Sequence, residues 1–371
     1  MTLRVDNVGS MLRPPELLEA FARHRAGELS DEALRTAQDG AIRDLVAEQE
    51  RHDLPIVVDG EFRRTQFMES FADVAGFDEW AARHAAARDA RDRAAREGGT
   101  LVVAPSALAL TPATEPLRLR RNVPLEEYRF TQALTDRPVK VTLIGPDRIL
   151  QAFDGASDVY PDDDAFLAGV VAVQREMVAG LVEAGCRYVH MDAPGFTAYV
   201  DPQSLERMRA RGRDPVATMR RTIAAENAVV AGFEGVTFGI HLCRGNERSH
   251  WHREGTYDAI AEELFGTLDH GRLLLEYDSE RAGGFAPLRF VRPGVIAVLG
   301  LVTTKHGELE DRDDVLRRID AATEFLPIEQ LALSAQCGFG STMEGNHLTE
   351  AQQWAKLDLI LEVAREVWGE S

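Results

Sequence analysis

Residues 236–243, Val-Thr-Phe-Gly-Ile-His-Leu-Cys, form an apolar run that ends in a histidine and a cysteine two residues apart. In a β-strand, side chains alternate between faces, so His241 and Cys243 point to one side and Leu242 to the other. A turn that contains glycine follows the run. An imidazole and a thiol side by side at a strand end can bind a soft metal ion such as zinc. Two ligands do not complete a metal site, so other strands must supply the rest.

Short apolar runs of this kind recur along the chain, and helical patterns such as residues 15–53, 165–184 and 314–325 separate most of them. Strands rich in Val, Ile and Leu that alternate with helices predict an α/β fold, a TIM (β/α)8 barrel. A doubly wound sheet is the alternative, because closure of a sheet cannot be read from a sequence. The eight predicted strands are residues 5–10, 56–61, 139–145, 187–192, 236–243, 272–278, 295–304 and 330–337.

An insertion at about residues 71–137 interrupts the second strand–helix unit. Residues 71–97 are rich in Ala, Arg and Asp and predict a charged helix, and residues 100–121 alternate as in a hairpin. The simplest interpretation of the helix is a solvated arm. The alternative is an excursion that covers the barrel mouth or pairs with a second copy of the chain. Apart from this helix-plus-hairpin excursion, residues 1–371 are expected to form a single barrel domain.

Composition narrows the class of protein. The 371 residues are 44% hydrophobic and 28% charged, as in soluble globular proteins, and the net charge of −19 argues against a nucleic-acid partner. Three cysteines are too few, and odd in number, for a disulfide framework. We find no signal-peptide pattern and no uninterrupted apolar run of membrane-spanning length. A cytoplasmic protein with no membrane partner is therefore expected.

Polar residues lie where the predicted strands end, which is the face on which barrel enzymes place catalytic side chains. His241, Cys243, Glu276 and Cys337 form a His/Cys/Glu/Cys set of this kind. Their spacing is far too long for a zinc finger, so only a barrel could bring them together. The other candidates at strand ends are Ser10, Glu61, Asp192, Asp278 and Lys305.

Ordinary explanations exist for several of these residues. A lone buried cysteine is most often a small core residue, and we assign Cys186 to that class. His241 taken alone would be a core histidine, but Cys243 beside it favours a ligand. His250 and His252 are expected to form a loop or a wall of the substrate site rather than a second metal site.

The strand-end motifs resemble the catalytic barrel of the cobalamin-independent methionine synthase family, in a short single-barrel form. The resemblance rests on the His-Leu-Cys strand end, on Glu276 in LEYDSERAG and on Cys337 in QCGFGS. It implies that His241, Cys243, Glu276 and Cys337 bind a catalytic Zn²⁺. Zinc would displace the proton of a substrate thiol and so generate the nucleophile.

The same resemblance implies a place for homocysteine. Glu61 and Asp192 would bind its ammonium group, and Ser10 would bind its carboxylate. The family also has a histidine for proton delivery after the seventh strand, and His306 is the candidate for that role. Ala193 follows Asp192 where the family often has a glutamate. This departure leaves the methyl donor open.

The first hypothesis is a zinc-dependent S-methyltransferase that converts homocysteine to methionine, with a methyltetrahydrofolate, a methylcorrinoid or another small methylated compound as donor. A relative of the epoxyalkane–coenzyme M transferases, which alkylate another thiol, is a variant within this class. A metal-free lyase resembling uroporphyrinogen decarboxylase would need an arginine-rich pocket. A non-catalytic zinc protein would keep all four ligands closed around the metal.

Overall fold

The computed structural model describes residues 3–96, 110–155 and 157–369, and its centre is a six-stranded parallel sheet. Six of the eight predicted strands are confirmed as β3 to β8, and they pair in chain order. A second sheet is a short antiparallel pair, β1 with β2, inside the predicted insertion. The strands are β1 Val74–Ala75, β2 Arg118–Leu119, β3 Lys140–Ile144, β4 Tyr188–Asp192, β5 Thr237–Leu242, β6 Arg272–Glu276, β7 Ile296–Val302 and β8 Leu331–Ala335.

Helices precede or follow most strands of the large sheet, as an α/β fold requires. The helical stretch predicted for residues 15–53 is confirmed, but it consists of two helices separated by a short break. The first helix ends at Arg25, and Gly27 follows it with a φ of +76°. Ser30 caps the second helix, because its hydroxyl accepts from the Ala33 N–H. The helices are α1 Pro15–Arg25, α2 Asp31–Arg51, α3 Glu79–Arg96, α4 Val123–Gln132, α5 Pro146–Ala152, α6 Asp163–Glu183, α7 Pro202–Ala210, α8 Pro215–Val230, α9 Ala261–Thr267, α10 Arg312–Thr323 and α11 Glu350–Trp368.

The first two predicted strands, residues 5–10 and 56–61, form isolated parallel bridges instead. Val5 bridges Leu333 of β8, Ser10 bridges Gly60, and Val57 bridges Val139 just before β3. Regular strands fail here because Gly9, Gly60 and Glu61 have φ values of +146°, +68° and +60°. The two segments nevertheless lie along the outer edges of the six-stranded sheet.

A buried ionic cluster attaches the first segment to the sheet. The Asp6 carboxylate accepts hydrogen bonds from Lys140 Nζ at 2.9 Å, Arg272 Nε at 2.9 Å and the Tyr188 hydroxyl at 2.6 Å. Burial raises the pKa of Asp6, but the two cations outweigh it and lower the pKa below its ordinary value. Because each donor comes from a different strand, the cluster holds residue 6 against β3, β4 and β6.

Both faces of the strands are covered. In β6, Leu273 and Leu275 belong to the main core beneath the helices, whereas Leu274 packs with Val8 and Val298 in a separate small cluster. Such two-sided burial explains why the strands read as continuous apolar runs rather than as alternating ones.

The predicted insertion is only partly a helix and hairpin. The helix predicted for residues 71–97 is shorter and runs from Glu79 to Arg96. Of the hairpin predicted for residues 100–121, residues 100–109 lie outside the described residues, and Arg118–Leu119 pairs with Val74–Ala75. Trp80 at the start of α3 packs on Phe71 and Phe77 in a second apolar cluster. This part of α3 is therefore anchored to the protein.

Helix α6 is long and apolar enough, by length and composition, to cross a membrane. Core helices of soluble proteins pass the same test. Eight of its side chains, including Phe166 and Met177, are buried inside the protein, which agrees with a core helix.

Candidate metal centre

Three of the four predicted metal ligands come together. A nitrogen of His241 and the sulfurs of Cys243 and Cys337 lie within 4.8 Å of one another, and all three residues are buried. His241 lies near the end of β5, Cys243 follows that strand, and Cys337 follows β8. The carboxyl ends of parallel strands thus assemble the group from two distant parts of the chain.

The orientation of His241 suits a metal ligand. Its Nδ1 is 3.2 Å from the Leu274 carbonyl oxygen, which can accept its proton. Its Nε2 is buried and has no hydrogen-bond partner among the described residues. Metal-binding histidines commonly donate one ring N–H to a backbone carbonyl and bind the metal through the other nitrogen. The unpartnered Nε2 and the two sulfurs fit a soft divalent metal.

The two cysteines influence each other. The hydrogen bond from Cys337 lowers the pKa of Cys243 well below its ordinary value, despite burial. The same contact, together with burial, raises the pKa of Cys337 well above its ordinary value. The thiolate form of Cys243 is thus favoured, and the Gly245 N–H donates to its sulfur at 3.3 Å. Thiolates are the form in which cysteine binds metals.

Glu276 is close to this group but is not part of the set within 4.8 Å. It is fully buried at the end of β6. Its Oε2 accepts from the Arg244 backbone N–H at 2.6 Å, and its Oε1 pairs with Arg281. Burial raises the pKa of Glu276, but Lys305, Arg244 and Arg281 together bring it below its ordinary value. Its assignment as a fourth ligand stays a prediction.

Asn246 connects the loops that carry the two cysteines. Its side-chain nitrogen donates to the Gly338 carbonyl at 2.8 Å and to Thr304 Oγ1 at 3.0 Å. Lys305 Nζ in turn contacts Asn246 Oδ1 at 3.2 Å. These bonds join the chain after β5 to the chain after β7 and β8. They fix the distance between Cys243 and Cys337.

Glu61 lies next to this centre in a conformation that only a strong local constraint would select. Its φ of +60° is unusual for a residue with a side chain, and strain of this kind clusters at functional sites. Oε1 accepts from the Thr142 hydroxyl at 2.8 Å, whereas Oε2 is buried without a partner. Burial raises the pKa of Glu61 to about 7, and the nearby Asp192 adds to the effect.

Asp192 and Ser10 complete the predicted substrate residues. Asp192 ends β4 directly opposite His241 in the register of the sheet, and burial raises its pKa to about 6. His190 Nε2 lies 3.2 Å from its Oδ1. Ser10 lies against Gly338, where a Cβ would overlap the Ser10 hydroxyl. Both predicted residues are therefore brought beside the metal ligands.

One pocket, partly open to solvent, contains these groups. Gln66 and His84 form part of its wall, with 3.2 Å between Gln66 Nε2 and His84 Nδ1. Since His84 belongs to α3, the described part of the insertion contributes to the pocket. The predicted site residues that line it are Ser10, Glu61, Asp192, His241, Cys243 and Cys337.

His306 lies elsewhere in the structure. It is exposed, it bridges His347 through the backbone, and it is not among the residues that line the pocket. Its role in proton delivery stays a prediction. His252, which was expected in a loop or substrate wall, does line the pocket and lies 3.6 Å from Glu247.

Sequence analysis missed two arginines of the pocket wall, Arg148 and Arg253. Neither follows a strand directly. Arg148 is in α5, shortly after β3, and Arg253 comes ten residues after Cys243 in the loop that contains His250 and His252. The signal that was available is that both residues follow the carboxyl end of a strand, Arg148 after β3 and Arg253 after β5, and the site of such folds is built at that end.

Comparison with known proteins identifies the family of this chain. The family model for the catalytic domain of cobalamin-independent synthases matches residues 4–247, more than half of the chain. The chain belongs to the cobalamin-independent methionine synthase family. The family and the names of its relatives support a methyltransferase of methionine biosynthesis.

Relatives of the synthase family match nearly the whole chain. The Bacillus subtilis protein YxjH is 35% identical, over 98% of this chain and 94% of its own length. A methionine synthase from Pyrococcus abyssi is 23% identical, over 89% of this chain and 84% of its own. The crystal structure of a Listeria monocytogenes protein assigned as a vitamin-B12-independent methionine synthase superimposes with a TM-score of 0.77 at 25% identity, covering 99% of this chain and 98% of that one.

Proposed function

We propose that this protein is a zinc-dependent S-methyltransferase that methylates homocysteine to give methionine. The observation that carries the proposal is the buried group of His241, Cys243 and Cys337, in which His241 Nε2 has no other partner. Bound zinc would coordinate the sulfur of the substrate thiol and lower its pKa, which makes the thiolate available at neutral pH. The fourth ligand in this proposal is Glu276, after release from Arg281.

The polarity of the pocket supports an amino-acid thiol as substrate. Glu61 and Asp192 are two buried carboxylates beside the metal ligands, and Glu61 Oε2 has no partner among the described residues. Arg64 Nη1 lies 3.8 Å from Oε1, but no described residue donates to Oε2. A buried oxygen without a donor is costly, and an ammonium group would supply that hydrogen bond. The Ser10 hydroxyl, which lies against Gly338, would bind the substrate carboxylate. Together these residues hold the thiol carrier with its sulfur towards the metal ligands.

We further propose that the chain is one closed (β/α)8 barrel with an insertion at about residues 71–137. The bridges of Val5 to β8 and of Val57 to the start of β3 provide a neighbour for each edge of the six-stranded sheet. The bridge of Ser10 to Gly60 joins the two edge segments to each other. Such a ring accounts for the convergence of β4, β5, β6 and β8 on one pocket.

The proposal covers three classes of methyl donor. We include methyltetrahydrofolate, a methylcorrinoid and a small methylated compound, all of them small molecules. A cytoplasmic location, where Cys186, Cys243 and Cys337 stay reduced, completes the proposal, and none of the three is in a disulfide.

The test has two parts. Elemental analysis of the purified protein should find one zinc per chain. Incubation with homocysteine and each donor in turn should yield methionine with one of the donors, and no product without zinc. Zinc-loaded protein that produces no methionine with any donor, and shows no affinity for homocysteine, would contradict the proposal.

A further inference from the structure

Two arginines of the pocket wall lack an anionic partner. Arg253 is 6% exposed, and its guanidinium donates to the Pro194 carbonyl and to Gln151 Oε1, the latter at 3.1 Å. Arg148 Nη1 donates to the same Gln151 oxygen at 3.3 Å. Among the described residues, no carboxylate oxygen lies within 4 Å of either guanidinium, which is the distance limit for an ion pair. One neutral amide oxygen thus serves two cations.

The neighbouring carboxylates are engaged elsewhere. Asp147, next to Arg148 in the chain, accepts from the Tyr199 hydroxyl at 2.9 Å and from Gln151 Nε2 at 3.1 Å. Glu247, on the pocket wall, lies 3.6 Å from His252 Nε2. The Nε atoms of both arginines are buried and have no hydrogen-bond partner among the described residues. Hydrogen-bond donors are therefore in excess at this part of the wall, and no carboxylate of the described residues forms an ion pair with either guanidinium.

Two guanidinium groups so close together repel each other. Burial, followed by the charge of Arg253, lowers the pKa of Arg148 to about 9. A buried cation is stable only when it is paired and hydrogen-bonded, and an oxyanion between the two forks would meet both needs. The anion has to come from the pocket, because both side chains line it.

We propose that Arg148 and Arg253, aligned by Gln151, form a subsite for the carboxylate or phosphate group of the second substrate, the methyl donor. The choice of the donor rests on the proposed function, in which Glu61, Asp192 and Ser10 already bind both ends of the amino-acid thiol. The donor is then an anionic molecule, and its oxyanion is held beside Pro194, on the β3 to β5 side of the pocket.

The experiment uses zinc-loaded full-length protein and isothermal titration calorimetry, with inorganic phosphate and glutarate as probes. At least one probe should bind the natural protein. Arg148→Gln and Arg253→Gln should each weaken that binding about ten- to a hundredfold, because each removes a charge-assisted hydrogen bond. Arg253→Lys keeps the charge but loses the fork, and it should give an intermediate loss. This variant also covers the case in which a glutamine variant fails to fold.

The matched control is Arg207→Gln. Arg207 is close enough to Arg253 to affect its pKa, but it lies outside the pocket, 3.8 Å from Asp201. Its loss should change probe binding less than about twofold, since surface charges act weakly through solvent. Equal losses in Arg207→Gln and Arg253→Gln would overturn the subsite, because they would show a general effect of charge. Probe binding that is unchanged in both pocket variants would overturn it as well.

Titration with homocysteine separates the two substrates. Phosphate or glutarate should still bind when homocysteine is saturating, and the arginine variants should leave homocysteine affinity within about twofold. Competition between homocysteine and the probes would assign the arginines to the thiol substrate and overturn the donor assignment. If the probes bind through the arginines while homocysteine does not bind at all, the anion subsite stands and the proposed function fails.

Discussion

Asn246 donates a hydrogen bond of 2.8 Å to the carbonyl of Gly338, the residue that follows Cys337. This bond holds the chain after β5 against the chain after β8 and so sets the separation of the two cysteines. We therefore expect Asn246→Ala to lower zinc affinity about ten- to a hundredfold, as loss of groups that orient metal ligands does. Competition with a chelator measures the zinc affinity of the variant and of the natural protein.

Asn227→Ala is the matched control. The Asn227 side chain also connects two segments: it donates to the Thr267 carbonyl at 2.7 Å and accepts from the Asp269 N–H at 2.8 Å. It lies near the end of α8, outside the metal centre. The variant should lose stability without losing zinc affinity. Equal zinc affinity in both variants would show that the Asn246 bond does not organise the metal centre.

The three cysteines should differ in what they do for zinc. Cys337→Ser should abolish stoichiometric zinc and activity while the protein remains folded. Cys186→Ser, at a fully buried position behind β3 and β4, should keep its zinc but lose about 1–3 kcal/mol of stability, because it buries a hydroxyl. Elemental analysis and urea denaturation test both. A Cys337→Ser protein that retains a full equivalent of zinc would remove this residue from the site.

Gly245 shapes the loop after Cys243. Its φ is +98°, and a Cβ there would overlap the ring of His252. Gly245→Ala should therefore cost more than about 1 kcal/mol of unfolding free energy and should also weaken zinc binding. Gly40→Ala, in the middle of α2 with open space around it, should instead raise stability by about 0.5–1 kcal/mol. Thermal unfolding with and without zinc distinguishes the two, and a neutral Gly245→Ala would contradict the described loop.

The raised pKa of Glu61 predicts a pH dependence of stability. Its pKa is about 7 in the folded protein against an ordinary value of 4.5, so the folded state binds more protons between these values. Stability should therefore fall as pH rises from about 4.5 to about 7, by about 1.4 kcal/mol for each pKa difference of one. Glu61→Gln removes this contribution.

Urea denaturation of metal-free protein at pH 5, 6 and 7.5 measures the effect. The natural protein should lose more stability across this range than Glu61→Gln. Parallel curves for the two proteins would mean that Glu61 carries no raised pKa in the folded state.

The sequence predicts the sheet best where burial is two-sided. Runs such as residues 273–275 and 295–302 are apolar on both faces, so their pattern is unambiguous. β6 and β7 are found within two residues of the predicted ends. Residues 5–10 and 56–61 were also predicted as strands, from short runs of β-type residues. Their backbone instead turns at Gly9, Gly60 and Glu61, where positive φ ends the ladder. Only the structure shows that these positions take up such a conformation.

The sequence predicts those residues of the candidate site that lie at the ends of strands. His241, Cys243 and Cys337 met that condition, and the structure brings them together. Arg148 and Arg253 did not, because one lies within a short helix and the other in a long loop. Their closeness depends on how two βα-loops fold back over the sheet, and no local pattern in the sequence encodes that contact.

The central claim is that this metal centre activates a thiol, and X-ray absorption at the zinc edge tests it most directly. Zinc-loaded protein should show two sulfur ligands, from Cys243 and Cys337, in the absence of substrate. Addition of homocysteine should raise the number to three, as the substrate sulfur joins the zinc. An unchanged number of sulfur ligands at saturating homocysteine would contradict the account.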